Sequence, residues 1–115
     1  MSQITTHILD TARGMPAAGV GLSLCREETD GSWTSVASAT TNNDGRVSDG
    51  LCEAGLELPA GTYRMRFATA DYFAGLGIDA FYPRVDVVFN LPAGGEHYHI
   101  PLLLAPFGYS TYRGS

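Results

Sequence analysis

The sequence ends on the stretch HYHIPLLLAPFGYSTYRGS, residues 97–115, which keeps a high aromatic and aliphatic content up to its last residues. Chain ends are usually small, polar and poorly ordered unless a sheet or a partner holds them. Four apolar side chains alternate with the others in its first half, which is typical of a strand that buries one face: Tyr98, Ile100, Leu102 and Leu104. The stretch therefore predicts a core strand and, after it, an end held by a strand ladder or a partner chain.

The rest of the chain repeats this pattern in short segments. Alternating apolar residues are separated by clusters of Gly, Pro, Asn and Asp at intervals of about ten residues, which is typical of an antiparallel sandwich or barrel. The segments that predict strands are residues 4–10, 20–27, 33–40, 61–69, 83–90, 97–105 and 108–114. We expect an all-β fold, a two-sheet antiparallel β-sandwich of about eight strands.

One segment, TADYFAGLG at residues 69–77, has a different periodicity. Its apolar residues fall on helical spacing: Tyr72, Phe73 and Leu76. Thr69 or Asp71 is a suitable N-cap, and Gly75 or Gly77 is suited to end the segment. We expect one short helix here.

Length and charge restrict the class of protein. A chain of 115 residues predicts a single domain over residues 1–115 with a core of its own. A net charge of -5 with scattered arginines argues against nucleic acid as a partner. No signal segment and no apolar run long enough for a membrane span are present in the sequence, so we expect a cytoplasmic protein. Cys25 and Cys52 lack metal-site spacing and are compatible with two free thiols or one disulfide.

The histidines are the candidates for chemistry. His97 and His99 are two residues apart in a predicted strand, so both project from the face opposite Tyr98. His7 lies in the first predicted strand, on the face of Thr5. The residues alone leave three interpretations open: ordinary surface histidines, a zinc site with three histidine ligands, or metal-free hydrolysis in which a neutral imidazole accepts a proton from water.

Five motifs together resemble the transthyretin-like protein family: ITTHILDTARGMPA, NNDGR, YRMRF, YFAGLGIDAFYPRVDVVF and HYHIPLLLAPFGYSTYRGS. The terminal YRGS resembles the enzymatic branch of that family, which hydrolyses 5-hydroxyisourate, an unstable product of urate oxidation. The resemblance implies a homotetramer, built as a dimer of dimers with active sites in a central channel, and no cofactor or metal. It implies four site residues: His7, Arg46, His99 and Ser115.

A mechanistic hypothesis assigns an expected role to each residue. His7 and His99 bracket the attacking water, Arg46 holds the anionic ring and the developing oxyanion, and Ser115 orients the substrate or a histidine. Tyr112 is expected to close the channel floor and contact the substrate. Arg113 is expected to contact the substrate as well, although strand parity places it on the other face. His97 is expected at the rim, and a small-ligand carrier with an open apolar channel remains the alternative.

Overall fold

The computed structural model describes residues 2–48, 50–53 and 55–114, and these form two facing four-stranded sheets with one short helix. The predicted sandwich of about eight strands is therefore confirmed. The elements in chain order are β1 Ile4–Asp10, β2 Met15–Pro16, β3 Gly21–Glu27, β4 Trp33–Thr40, β5 Gly61–Phe67, α1 Thr69–Gly75, β6 Val85–Leu91, β7 Tyr98–Ala105 and β8 Gly108–Thr111.

The two sheets have the strand orders β2-β1-β7-β8 and β4-β3-β5-β6. Neighbouring strands run antiparallel except for β1 and β7, which pair in parallel from Ile4 opposite Tyr98 to Asp10 opposite Leu104. A parallel pair needs a long crossover rather than a tight hairpin, and here the other sheet and the helix lie between the two strands in the chain. This pair joins the N-terminal strand to the C-terminal part of the chain.

The core lies between the sheets and follows the predicted alternation. In β1 every second residue is buried and the residues between are half-buried. On the facing sheet Tyr63, Met65 and Phe67 have no exposed surface, while Arg66 on the outer face pairs with Asp86 at 2.8 Å. Burial of apolar side chains of this size contributes roughly 1.5–3 kcal/mol each, so the core fixes which face of each strand points outward.

Helix α1 forms where helical spacing predicted it, but its N-terminus differs from the expectation. The N-cap position is Ala68, which makes no side-chain cap bond, and Thr69 is a buried first residue of the helix. The prediction of Thr69 or Asp71 as N-cap is therefore wrong, because Thr69 is turned toward the core. Gly77 ends the helix with φ +70°, and the Ile78 amide donates to the carbonyl of Phe73.

Two details at the sheet edges were not predicted. The segment between the first two predicted strands contains the short strand β2, which pairs with Leu9 and Asp10. Strand β8 ends at Thr111, and Gly114 returns to the sheet through an isolated bridge to His99.

Among the described residues no helix has the length and apolar content needed to cross a bilayer.

Candidate active site

The parallel pairing of β1 and β7 assembles the candidate site. It sets Thr5 directly opposite His99 and His7 opposite Pro101. Directly paired residues of neighbouring strands project from the same face of a sheet, so these side chains share the outer face. Thr5, His7 and His99 are half-buried, and Pro101 is buried. The register therefore places His7 and His99 on one face of the sheet.

Thr5 connects the two histidines of the HYH sequence. Its hydroxyl Oγ1 lies 2.8 Å from Nδ1 of His99 and 2.7 Å from Nε2 of His97. The two imidazole rings are 6.4 Å apart between centroids and inclined by 27°. His97 is exposed and His99 is half-buried, so His97 lies at the rim of the cluster.

Arg46 reaches the same face through a tight turn. The Asn42 side-chain oxygen accepts hydrogen bonds from the amides of Asp44 and Arg46, at 2.9 and 3.1 Å. Gly45 has φ +73°, and its carbonyl accepts a 2.8 Å bond from the amide of Ile8. This bond sets Arg46 in an isolated antiparallel bridge with His7, so the turn supplies a cation to the histidine face.

Gly45 is required at this turn by its surroundings. A Cβ atom there would lie 2.3 Å from the carbonyl oxygen of Ile8, and its left-handed φ is one that side-chain-bearing residues rarely adopt. The close approach of the turn to β1 therefore depends on glycine.

The C-terminal segment packs against the imidazole of His99. The Gly114 amide donates to the His99 carbonyl at 2.8 Å, and a Cβ atom on Gly114 would lie 2.7 Å from Cδ2 of that ring. The register places Ser110 opposite Leu103 and Gly114 opposite His99. Tyr112 lies between them, beyond the end of β8, and borders the same cleft as Tyr98 and Ile100. Tyr112 is 60% exposed, and Ser115 lies outside the described residues.

Arg113 is on the other side of this sheet. Its guanidinium carbon lies 4.7 Å from the ring centroid of Tyr98, a residue of the inner face. Both residues border a cleft of about 250 Å³ between the edge strands β6 and β8, together with Val87, Phe89 and Ile100. The structure thus groups His7, Arg46 and His99 and separates Arg113 from them.

The charges in this cluster favour a neutral imidazole on His99. Burial lowers the pKa of His99, and the positive charges of Arg46, His97 and His7 lower it further. A histidine whose pKa is held below its ordinary value carries a free lone pair at neutral pH. Such a group accepts a proton from water, and the neighbouring guanidinium can stabilise the negative charge that develops on the attacked atom.

A metal site of the usual kind is not formed by these residues. Within residues 2–48, 50–53 and 55–114, no three side chains of His, Cys, Asp or Glu converge as ligands. One of the two ring nitrogens of His99 is already used by Thr5. The cluster therefore contains His7, Arg46 and His99 on one sheet face, with His97 at its rim and Thr5 between His97 and His99.

Sequence reasoning missed two contributors to the cluster. Strand parity placed Thr5 on the face of His7, but only the β1–β7 register shows that it lies opposite His99. Gly114 lies in the last predicted strand, residues 108–114, but only the structure shows its close contact with the imidazole ring of His99. Neither contact has a local sequence signal, because both join residues that are far apart in the chain.

Comparison with known proteins shows the family of the chain. The family described as "HIUase/Transthyretin family" matches residues 4–114. A 5-hydroxyisourate hydrolase of Deinococcus radiodurans is 50% identical, over 97% of this chain and 95% of that protein. The structure of Klebsiella pneumoniae 5-hydroxyisourate hydrolase superposes with a TM-score of 0.84 at 39% identity, covering 99% of this chain and 100% of that one. Sea bream transthyretin in complex with thyroxine superposes with a TM-score of 0.89 at 35% identity, covering 97% of this chain and 94% of that one. The chain belongs to the HIUase/Transthyretin family.

Proposed function

We propose that this protein hydrolyses 5-hydroxyisourate to 2-oxo-4-hydroxy-4-carboxy-5-ureidoimidazoline, a ring-opening step in urate breakdown. The observation that carries the proposal is the grouping of His7, Arg46 and His99 on one sheet face. Relatives from bacteria and mouse with 43–50% identity over nearly the whole chain bear the name 5-hydroxyisourate hydrolase.

The histidines supply the proton transfers. Opening a cyclic amide requires removal of a proton from the attacking water and delivery of a proton to the leaving nitrogen. Two imidazoles that share a face can divide these tasks, and the lowered pKa of His99 suits it to act while neutral. Neither task requires a metal, so the proposed reaction is metal-independent.

Arg46 is proposed to bind the anionic ring and the developing oxyanion. Its bridge to His7 brings a permanent positive charge to the face on which the water is activated. Tyr112 and Ser115 are proposed to contact the substrate from the C-terminal segment. Arg113, which stacks on Tyr98, is proposed to contribute only if the chain end turns when the substrate binds.

The proposed active form is a homotetramer, a dimer of dimers, in the cytoplasm. Strands β6 and β8 are edge strands on the same side of the sandwich, and both border the cleft between the sheets. Edge strands expose backbone groups that readily pair with another chain. Large side chains near these edges are exposed, among them Phe107 at 72% and Val88 at 57%, which favours pairing with a second copy.

The carrier function of transthyretin is the alternative, since a transthyretin bound to thyroxine has a similar fold. A carrier for an apolar ligand has no need of a histidine pair and an arginine on its binding face. The polar cluster therefore favours the enzyme.

The deciding experiment measures turnover without metal. Protein treated with a chelator is added to 5-hydroxyisourate generated in the cuvette by urate oxidase, and its ultraviolet decay is followed. We expect the decay to accelerate in proportion to protein concentration, and the acceleration to survive chelation. Loss of activity on chelation would contradict the metal-free mechanism and indicate a metal-dependent one. A folded tetramer with no activity would favour the carrier function.

A further inference from the structure

The Thr5 hydroxyl lies between two histidine nitrogens, and only a few hydrogen-bond arrangements allow it to bond to both. A hydroxyl carries one hydrogen to donate and two lone pairs that accept. Its partners are Nδ1 of His99 at 2.8 Å and Nε2 of His97 at 2.7 Å, both short enough for good hydrogen bonds. When both imidazoles are neutral, the Thr5 hydroxyl can donate its hydrogen to only one of the two nitrogens. The second hydrogen bond therefore forms only if the other nitrogen carries a hydrogen and donates it to Thr5.

The arrangement leaves one nitrogen of His99 for chemistry. Nδ1 is used by Thr5, whereas Nε2 has no hydrogen-bond partner among the described residues. In a neutral imidazole only one ring nitrogen carries a hydrogen, and the hydrogen bond of one nitrogen sets the state of the other. If Thr5 donates to His97, then Nδ1 of His99 must hold the hydrogen and Nε2 must hold the lone pair.

We propose that Thr5 is a positioning residue that, oriented by His97, keeps the hydrogen of His99 on Nδ1 and its lone pair on Nε2, and so makes His99 the base. The direction of the two hydrogen bonds rests on the proposed function, because a base needs a lone pair on the open nitrogen. No bond is made or broken in this step. Thr5 fixes the tautomer in which Nε2 can accept a proton from water.

His97 orients the Thr5 hydroxyl without touching the substrate. As the acceptor of the Thr5 hydrogen, it prevents that hydroxyl from turning its proton toward His99. The exposed position of His97 leaves its own Nδ1 free to bond with solvent, which costs little. The proposal thus accounts for the first histidine of the HYH sequence as well as the second.

The direct test is the tautomer of His99 by ¹⁵N NMR on uniformly labelled protein at about pH 8, where a histidine of lowered pKa is neutral. Protonated and unprotonated ring nitrogens resonate in separate ranges, so the hydrogen can be assigned to Nδ1 or Nε2. We expect Nδ1–H in the wild type and in Thr5→Ser, which keeps the hydroxyl. In Thr5→Val, which is similar in shape but cannot hydrogen-bond, we expect a shift toward Nε2–H. Nε2–H in the wild type, or no shift in Thr5→Val, would overturn the proposal.

Kinetics give a second measurement. We expect Thr5→Val to lower kcat about 10- to 100-fold with KM nearly unchanged, the size usual for residues that orient a functional histidine. His97→Leu should produce a smaller loss, and the double variant should be no worse than Thr5→Val alone. Thr62→Val is the matched control, because Thr62 also bonds across a strand pair, to Asn90 at 3.1 Å, on the other sheet. Equal losses in Thr5→Val and Thr62→Val, or additive losses in the double variant, would reject the role of Thr5.

The two proposals fail in different ways. A wild type with the expected tautomer but no turnover would reject the hydrolase and leave the Thr5 arrangement intact. An active wild type whose His99 tautomer does not respond to Thr5 would do the reverse.

Discussion

The two faces of β1 make opposite use of polar side chains. On the inner face Thr6 and Asp10 are buried and fully engaged, since Thr6 donates to the Ile100 carbonyl at 2.6 Å and Asp10 accepts from the Tyr72 hydroxyl at 2.7 Å. On the outer face Thr5 and His7 are half-buried, and the histidines there keep ring nitrogens without protein partners among the described residues. Within one strand, the buried polar side chains of the inner face have hydrogen-bond partners, whereas the outer-face histidine keeps ring nitrogens available to a ligand or to water.

Because alternate residues of β1 lie on opposite faces, single substitutions change one face at a time. A substitution on the inner face should alter the free energy of unfolding and leave the chemistry of the folded protein intact. A substitution on the outer face should do the opposite. Single substitutions in β1 therefore show how cleanly stability and activity separate.

The largest effect is expected from the outer-face histidines. His7→Ala and His99→Ala should each lower the rate of 5-hydroxyisourate decay by about 10²–10⁴-fold, the loss usual for a general acid or base. The same ultraviolet assay measures the loss of rate, with the melting temperature and the oligomeric state recorded alongside. Wild-type turnover in either variant would remove that histidine from the mechanism.

The inner face is tested by Ile8→Ala. Ile8 has no exposed surface and lies in the core, so its truncation should lower the free energy of unfolding by about 2–5 kcal/mol, measured by denaturant titration. Ile8→Val, which removes a single methyl group, should cost about 0.5–1.5 kcal/mol. Turnover per folded molecule should be retained in both, and a loss as large as that of a histidine variant would mean that the two faces are coupled.

Gly45→Ala should affect both properties at once, because this residue joins the turn of Arg46 to β1. The left-handed φ of +73° and the contact of a Cβ atom with the Ile8 carbonyl should cost about 1–3 kcal/mol and displace Arg46, which raises KM. Gly14→Ala is the matched control, since Gly14 has φ +68° with nothing within 4 Å of its Cβ position. An unchanged KM in Gly45→Ala would show that the turn does not position Arg46.

The smallest effect is a shift in titration. The positive charge of Arg46 helps hold the pKa of His99 down, so Arg46→Gln should raise that pKa toward its ordinary value. With a lowered folded-state pKa, the unfolded chain binds more protons near that pKa, and His99 makes stability fall as the pH falls. Arg46→Gln should weaken this dependence. NMR titration of His99 measures the shift, and Arg84→Gln on the other sheet should leave it unchanged.

Strand periodicity accounts for much of what the sequence could predict. The alternation in β1 and β7 placed the histidines outside and the aliphatic residues inside, and the structure agrees. Register could not be predicted, because nothing local in either strand indicates that Thr5 pairs with His99 in parallel. Local signals also failed at Thr69, where burial overrode capping preference. The expected role of Ser115, to orient the substrate or a histidine, stays a prediction.

The parallel pairing of β1 with β7 also affects how the protein is synthesised. Thr5 and His99 are 94 residues apart in the chain, so β1 leaves the ribosome long before its main partner exists. Closing contacts over such separations is slow, and until then the apolar face of β1 is available to chaperones or to other chains. The pairing of β7 with β1 completes the core and assembles the histidine face together. A nascent or truncated chain lacking residues 98–105 therefore has neither a closed core nor the histidine face, so quality control that detects the open core also removes chains in which the face has not yet formed.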